Sequence, residues 1–101
     1  MSVYEDIRAT MEARQPFSCT YNGLRREVCA HTLGTKNGRR QTLVFQFGGE
    51  SSKGLPPEGE WRCMPVEGIL DFAVMEGPWR TRDDHSQKQT CVDEVDLEVF
   101  A

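Results

Sequence analysis

The chain predicts a mainly β, α+β domain: one N-terminal helix followed by a five- or six-stranded, strongly bent antiparallel sheet closing toward a small Sm- or SH3-like barrel. Three observations carry this expectation. A helix-start signature stands at the N-terminus, two Asn-Gly pairs punctuate segments of alternating apolar residues, and short alternating runs recur up to the C-terminal end. Its 101 residues fit a single domain spanning 1–101, with one core that buries about 60 to 70% of the unfolded chain's surface.

The helix, expected over about 2–15, opens with Ser2 followed by Glu5, the spacing of a capping box that satisfies orphan amides of the first turn. Val3, Ile7 and Met11 then recur at helical spacing, and Pro16 ends the run by restricting Gln15. Strands over about 17–76 follow. Phe17, Cys19 and Tyr21 alternate with Ser18 and Thr20, and Asn22-Gly23 supplies the positive φ angles of a two-residue hairpin turn. The second strand runs from Leu24 to Ala30. A second turn at Asn37-Gly38 leads to Gln41 to Phe47, a central strand with Leu43, Phe45 and Phe47 on one face and Thr42, Val44 and Gln46 on the other.

Residues 48–60 hold four glycines, two prolines and two serines, the composition of a long surface loop. Strand character resumes from Trp61 to Val66 and again at Leu70, Phe72 and Val74, until Gly77-Pro78 closes the barrel region. After a polar loop, Val95, Leu97 and Val99 alternate with Glu94, Asp96 and Glu98 in an acid-faced last strand within a tail of about 80–100.

Net charge is -4, but residues 16–48 carry five Lys or Arg against the single acid Glu27. The acidic total argues against bulk electrostatic attachment to nucleic acid or membrane, whereas the local excess leaves room for one anion-attracting surface. Arg25 and Arg26 are neighbours on a strand and must point to opposite faces. Arg26 shares the parity of Leu24 and Val28 and is placed toward the interior or rim, with Arg25 in solvent. His31, just past the second strand, is suited to donating to a phosphate or to capping a turn. Gln46, amid apolar neighbours, must find partners, because an unsatisfied buried amide costs roughly 1 to 3 kcal/mol. Trp61 and Trp79 are suited either to the core or to stacking a base at a rim.

Four cysteines, Cys19, Cys29, Cys63 and Cys91, lie far apart without a CxxC pair and read as small buried hydrophobes rather than metal ligands or a disulfide. His85 with Asp83 and Asp84 reads as a solvated loop, and no metal or cofactor is expected. Ser51, Ser52 and Lys53 lie in a glycine-rich segment without the strand-to-helix context of a phosphate-binding loop. No nucleophile, base and orienting residue can be assembled, so an enzyme is not expected. MSVYEDIRAT lacks the apolar core of a signal peptide and no run reaches membrane-spanning length, which makes a reducing cytoplasm the expected setting.

Read together, the strands resemble the WYL domain, the Sm-like ligand-sensing barrel of bacterial transcription regulators. An opening strand ending in an aromatic, FSCTYNG, leads to the Arg-rich LRREVCAHTLG, the aromatic strand TLVFQFGG, and the Arg-bearing EWRCMPVEGIL. Leu43-Val44-Phe45 stands near the position of the triplet that names the family, and Glu67-Gly68 precedes Ile69 where the family carries a final Arg. The resemblance implies a ligand-facing role for Arg62 and a sensing module without the helix-turn-helix reader that most relatives carry. The sequence therefore points to a non-enzymatic binding domain that takes a nucleotide or short single-stranded nucleic acid through Arg26, His31, Gln46, Trp61 and Arg62. The alternative is a protein-interaction module, either self-associating or an acidic regulatory partner.

Overall fold

The computed structural model describes residues 2–50, 54, 55, 57, 59–81 and 91–99. The loop positions Ser51, Ser52 and Lys53, and the Asp83, Asp84 and His85 group, lie outside them. Helix α1 (Val3–Ala13) starts where the capping spacing places it: the Ser2 hydroxyl accepts from the Glu5 amide at 3.2 Å and donates to the Glu5 carboxylate at 3.3 Å. Arg14 ends it in the left-handed region at φ 54°, and Ile7, Thr10 and Met11 form the buried stripe.

Six strands follow: β1 (Phe17–Tyr21), β2 (Leu24–Lys36), β3 (Arg39–Gly49), β4 (Glu60–Pro65), β5 (Leu70–Val74) and β6 (Glu94–Glu98), with a 3-10 turn η1 (Val66–Gly68) between β4 and β5. All pairings are antiparallel, in the order β4-β3-β2-β1-β5. Both Asn-Gly pairs form the predicted tight turns, with positive φ at Asn22, Gly23, Asn37 and Gly38.

β2 organises the sheet because it is longer than its pattern suggests, reaching Lys36 rather than Ala30. One edge pairs with β3 throughout. The other is shared between β1, against residues 24–28, and β6, against residues 32–35. Gly34 permits the second pairing, since a Cβ there would run into the Glu94 carbonyl. The sheet does not close into the barrel expected from the sequence: among the described residues β4 and β5 remain its two ends, bridged in sequence by η1 but not by a strand pairing.

Both faces of the sheet are covered. On one, α1, β1, η1 and the end of β6 pack Ile7, Met11, Phe17, Val28, Leu33, Val44, Met64, Ile69 and Val99 into the main core. On the other, Leu43, Cys91 and Val92 form a second cluster against Trp61. This two-sided burial explains why β2 and β3 are buried almost continuously over their middles instead of in strict alternation.

The cysteines are a correction to the sequence reading. Cys19 and Cys29 are buried free thiols, but Cys63 and Cys91 form a disulfide, with Cα atoms 5.6 Å apart. The bridge fastens the segment before β6 to β4 across the second cluster. Sequence spacing could not reveal it, because the 28-residue separation is bridged by tertiary approach alone.

Candidate functional site

Arg26 lies on β2 opposite Cys19 of β1, on the core face, and is only 3% exposed. Its Nη1 donates to Oε1 of Gln46 and its Nη2 to the Tyr21 carbonyl, each at 3.3 Å. The guanidinium carbon stands 5.5 Å from the centre of the Tyr21 ring. Its Nε is buried and has no hydrogen-bond partner, and among the described residues no carboxylate forms an ion pair with it. Burial pushes the Arg26 pKa down, the nearby Arg62 charge pushes it further, and Cys19, Tyr21 and Glu50 offset part of the shift. Arg25 points the opposite way, side chain 56% exposed, and pairs with Glu27 at 2.6 Å.

Arg62 reaches the same face from β4. It pairs with Val44 of β3, while Gln46, two residues on, pairs with Glu60. Its Nη2 contacts Oε2 of Glu60 at 2.7 Å, a neighbour placed on the same face by the two-residue strand period. Gln46, fully buried, spends its amide internally: besides accepting from Arg26 it donates to the carbonyls of Gly48 and Glu50 at 3.0 and 2.9 Å. It therefore braces the arginine and the chain leaving β3, and is not an open reader of a base. Gly49, at φ +86°, closes that bend by packing directly on the Arg25 carbonyl and the Arg26 Cα.

His31 and Trp61 belong elsewhere. The register between β2 and β3 shifts between Ala30 and Thr32, so His31 is an extra residue within β2, not a residue beyond its end. Its ring lies on the second face, 4.6 Å from Trp61 and 4.2 Å from Trp79, with Nδ1 2.9 Å from the Cys29 carbonyl. Phe45 adds a further ring 5.2 Å from Trp61. The bulge also turns the His31 carbonyl toward β6, where it accepts from the Val99 amide at 2.8 Å. The five residues selected from the sequence thus divide: Arg26, Gln46 and Arg62 share the core face, while His31 and Trp61 build an aromatic cluster behind it.

Three contributors were not selected from sequence. Tyr21 was legible, since the Asn22-Gly23 turn pairs Tyr21 with Leu24 and makes it the diagonal, same-face neighbour of Arg26. Glu60 follows from strand parity with Arg62. Glu50 had no local signal, because its approach to Arg26 depends on the bend at Gly49.

Two clefts lie away from this cluster. One of about 820 Å³ is lined by Tyr4, Arg39, Arg40, Val66, Ile69 and Leu70 among others. Another of about 460 Å³ lies against Phe45, Phe47, Trp79 and Arg80. Neither includes Arg26, and size alone does not outweigh a buried, unneutralised guanidinium as a sign of binding chemistry. Among the described residues no group of three or more His, Cys, Asp or Glu side chains is arranged to hold a metal. The cluster can attract and orient an anion: Arg26 offers an unused N–H, and Arg62 adds a second guanidinium. Comparison with protein-family models, curated proteins and solved structures found no match to this chain.

Proposed function

We propose that the chain is a non-enzymatic, WYL-like ligand-binding domain with a regulatory role, and that its ligand is a nucleotide or short single-stranded nucleic acid whose phosphate is held by Arg26 and Arg62. One observation carries the reading: Arg26 is buried beside a like charge with one N–H unspent and, among the described residues, no acid paired to it. A buried cation that no carboxylate contacts directly is costly, and an incoming oxyanion relieves that cost. Tyr21, partly exposed next to Arg26, is suited to packing against the ligand's base or sugar. Titration with nucleotides and short oligonucleotides at low salt tests it. Saturable binding that weakens with salt and is lost in Arg62→Ala supports the reading, and no heat from any of these ligands removes it.

A second reading has its own support. Leu70 and Val74, 59% and 54% exposed, lie on β5 at one end of the sheet, a place where another strand could pair. Light scattering over a range of concentrations tests this protein-interaction reading, including self-association. As to setting, no described helix is long and apolar enough to cross a membrane. The Cys63–Cys91 bridge favours an oxidising compartment over the reducing cytoplasm expected from the sequence.

A further inference from the structure

The ligand's charge can be narrowed by counting what surrounds Arg26, an inference that rests on the anion-binding reading above. Two guanidiniums face the site, but they are not matched by two vacancies. Arg62 is engaged by Glu60 at 2.7 Å. Gln46 ties the Glu50 carbonyl at 2.9 Å and the Glu50 amide bonds to the Arg25 carbonyl at 2.6 Å, which holds the Glu50 backbone next to Arg26, close enough for its carboxylate to favour the charged guanidinium slightly. Arg25, which could have added charge, is turned to the other face and neutralised by Glu27. Among the described residues the immediate surroundings therefore hold two cations and two acids, with a single arginine, Arg26, lacking a paired acid.

The surroundings balance overall, so the opening for a ligand is the single guanidinium without a direct acid contact, which matches one negative charge. A second or third charge on the same ligand would approach Glu60 and Glu50, and like charges brought together in a partly desolvated setting repel strongly. A phosphodiester carries one charge and two unesterified oxygens, which suits one guanidinium reached beside another. A terminal phosphate monoester carries up to two charges, and a triphosphate more. We infer that the site selects a phosphodiester, as in a cyclic nucleotide or the internal linkage of a single strand, over terminal mono- and triphosphates.

The test is calorimetric titration of the intact chain at low salt with four probes: a thymidine dinucleotide bearing one internal phosphate and no terminal one, cyclic AMP, AMP and ATP. The expected result is that the dinucleotide or cyclic AMP binds roughly tenfold or more tighter than AMP and ATP, reflecting like-charge repulsion by the two acids. Glu60→Gln should narrow that gap by strengthening AMP and ATP, a change of selectivity that a purely structural role for Glu60 would not produce. Its folding can be confirmed independently by circular dichroism. AMP or ATP binding as tightly as the diesters overturns the charge inference while leaving anion binding intact. An unchanged gap in folded Glu60→Gln overturns it as well. Absence of binding by all four, with short oligonucleotides also silent, overturns the anion-binding reading itself.

Discussion

The Gln46 side chain bonds Arg26 and the end of β3 at once: Oε1 accepts from Arg26 Nη1 at 3.3 Å, while Nε2 donates to the Gly48 and Glu50 carbonyls at 3.0 and 2.9 Å. A neutral amide thereby holds a buried cation in place without cancelling its charge. A glutamate at this position would have closed the site with an ion pair.

Gln46→Leu keeps the volume but removes the amide donor of two carbonyls and the acceptor of Arg26 Nη1, leaving the guanidinium only its bond to the Tyr21 carbonyl. The expected loss of stability in urea denaturation is about 1–3 kcal/mol, with weaker anion binding because the guanidinium is no longer braced. Wild-type stability in this variant would contradict the bracing role.

Arg26→Met should separate function from stability. Arginine remains charged at working pH, so its downward shift represents a burial cost present across that range rather than a pH-dependent one. Removing the charge should leave the melting temperature unchanged or raised, while binding disappears. A melting temperature lowered by many degrees would mean that Arg26 is a stabilising element.

Thiol counting checks the bridge. Unfolded without reductant, the protein should show two reactive thiols, Cys19 and Cys29, and after reduction four. In the folded state both free thiols should resist alkylation at neutral pH, since burial pushes each up to about 11. Because the bridge closes a loop of 28 residues, reduction or Cys63→Ser should lower stability by about 2–4 kcal/mol.

The Tyr4–Asp96 contact ties α1 to β6. The phenol donates to Asp96 at 2.6 Å, and Arg8 pairs with the same carboxylate at 2.7 Å. Burial first, then Asp96, raises the Tyr4 pKa from 10.0 to about 12. Its contribution is thus present below pH 10.0 and lost as pH rises toward about 12. The bonds from Tyr4 and then Arg8 hold Asp96 below its ordinary value, so its contribution is present above the usual carboxylate range and lost as acid drives the pH through its depressed pKa. Ultraviolet titration of Tyr4 in a Tyr21→Phe background should show the raised midpoint, and Asp96→Asn should lower it part of the way, leaving the share due to burial.

Local chemistry determined much of this molecule. Ser2 with Glu5, the two Asn-Gly turns, and alternation in β1, β3 and β6 are signals whose physics acts within a few residues, and with the shorter runs of β4 and β5 they pointed to one helix and five or six strands in one antiparallel sheet. Parity likewise sent Arg25 outward and Arg26 inward, and the first hairpin's register set Tyr21 beside Arg26. What required tertiary structure was whatever depended on residues distant in sequence. The extra residue at His31 shifted the alternation of β2 beyond it, so that Leu33 returns to the core face, and packing of the sheet set the imidazole against Trp61 of β4. The approach of Cys63 to Cys91 joined two otherwise unremarkable thiols. The ends of the sheet stayed apart at β4 and β5 because barrel closure depends on the summed twist and stagger of all the strands, which no single segment encodes. Whether charges meet is decided the same way: strand parity chooses a face, but only the packed sheet brings Arg26, Arg62 and the acids beside them into one electrostatic environment.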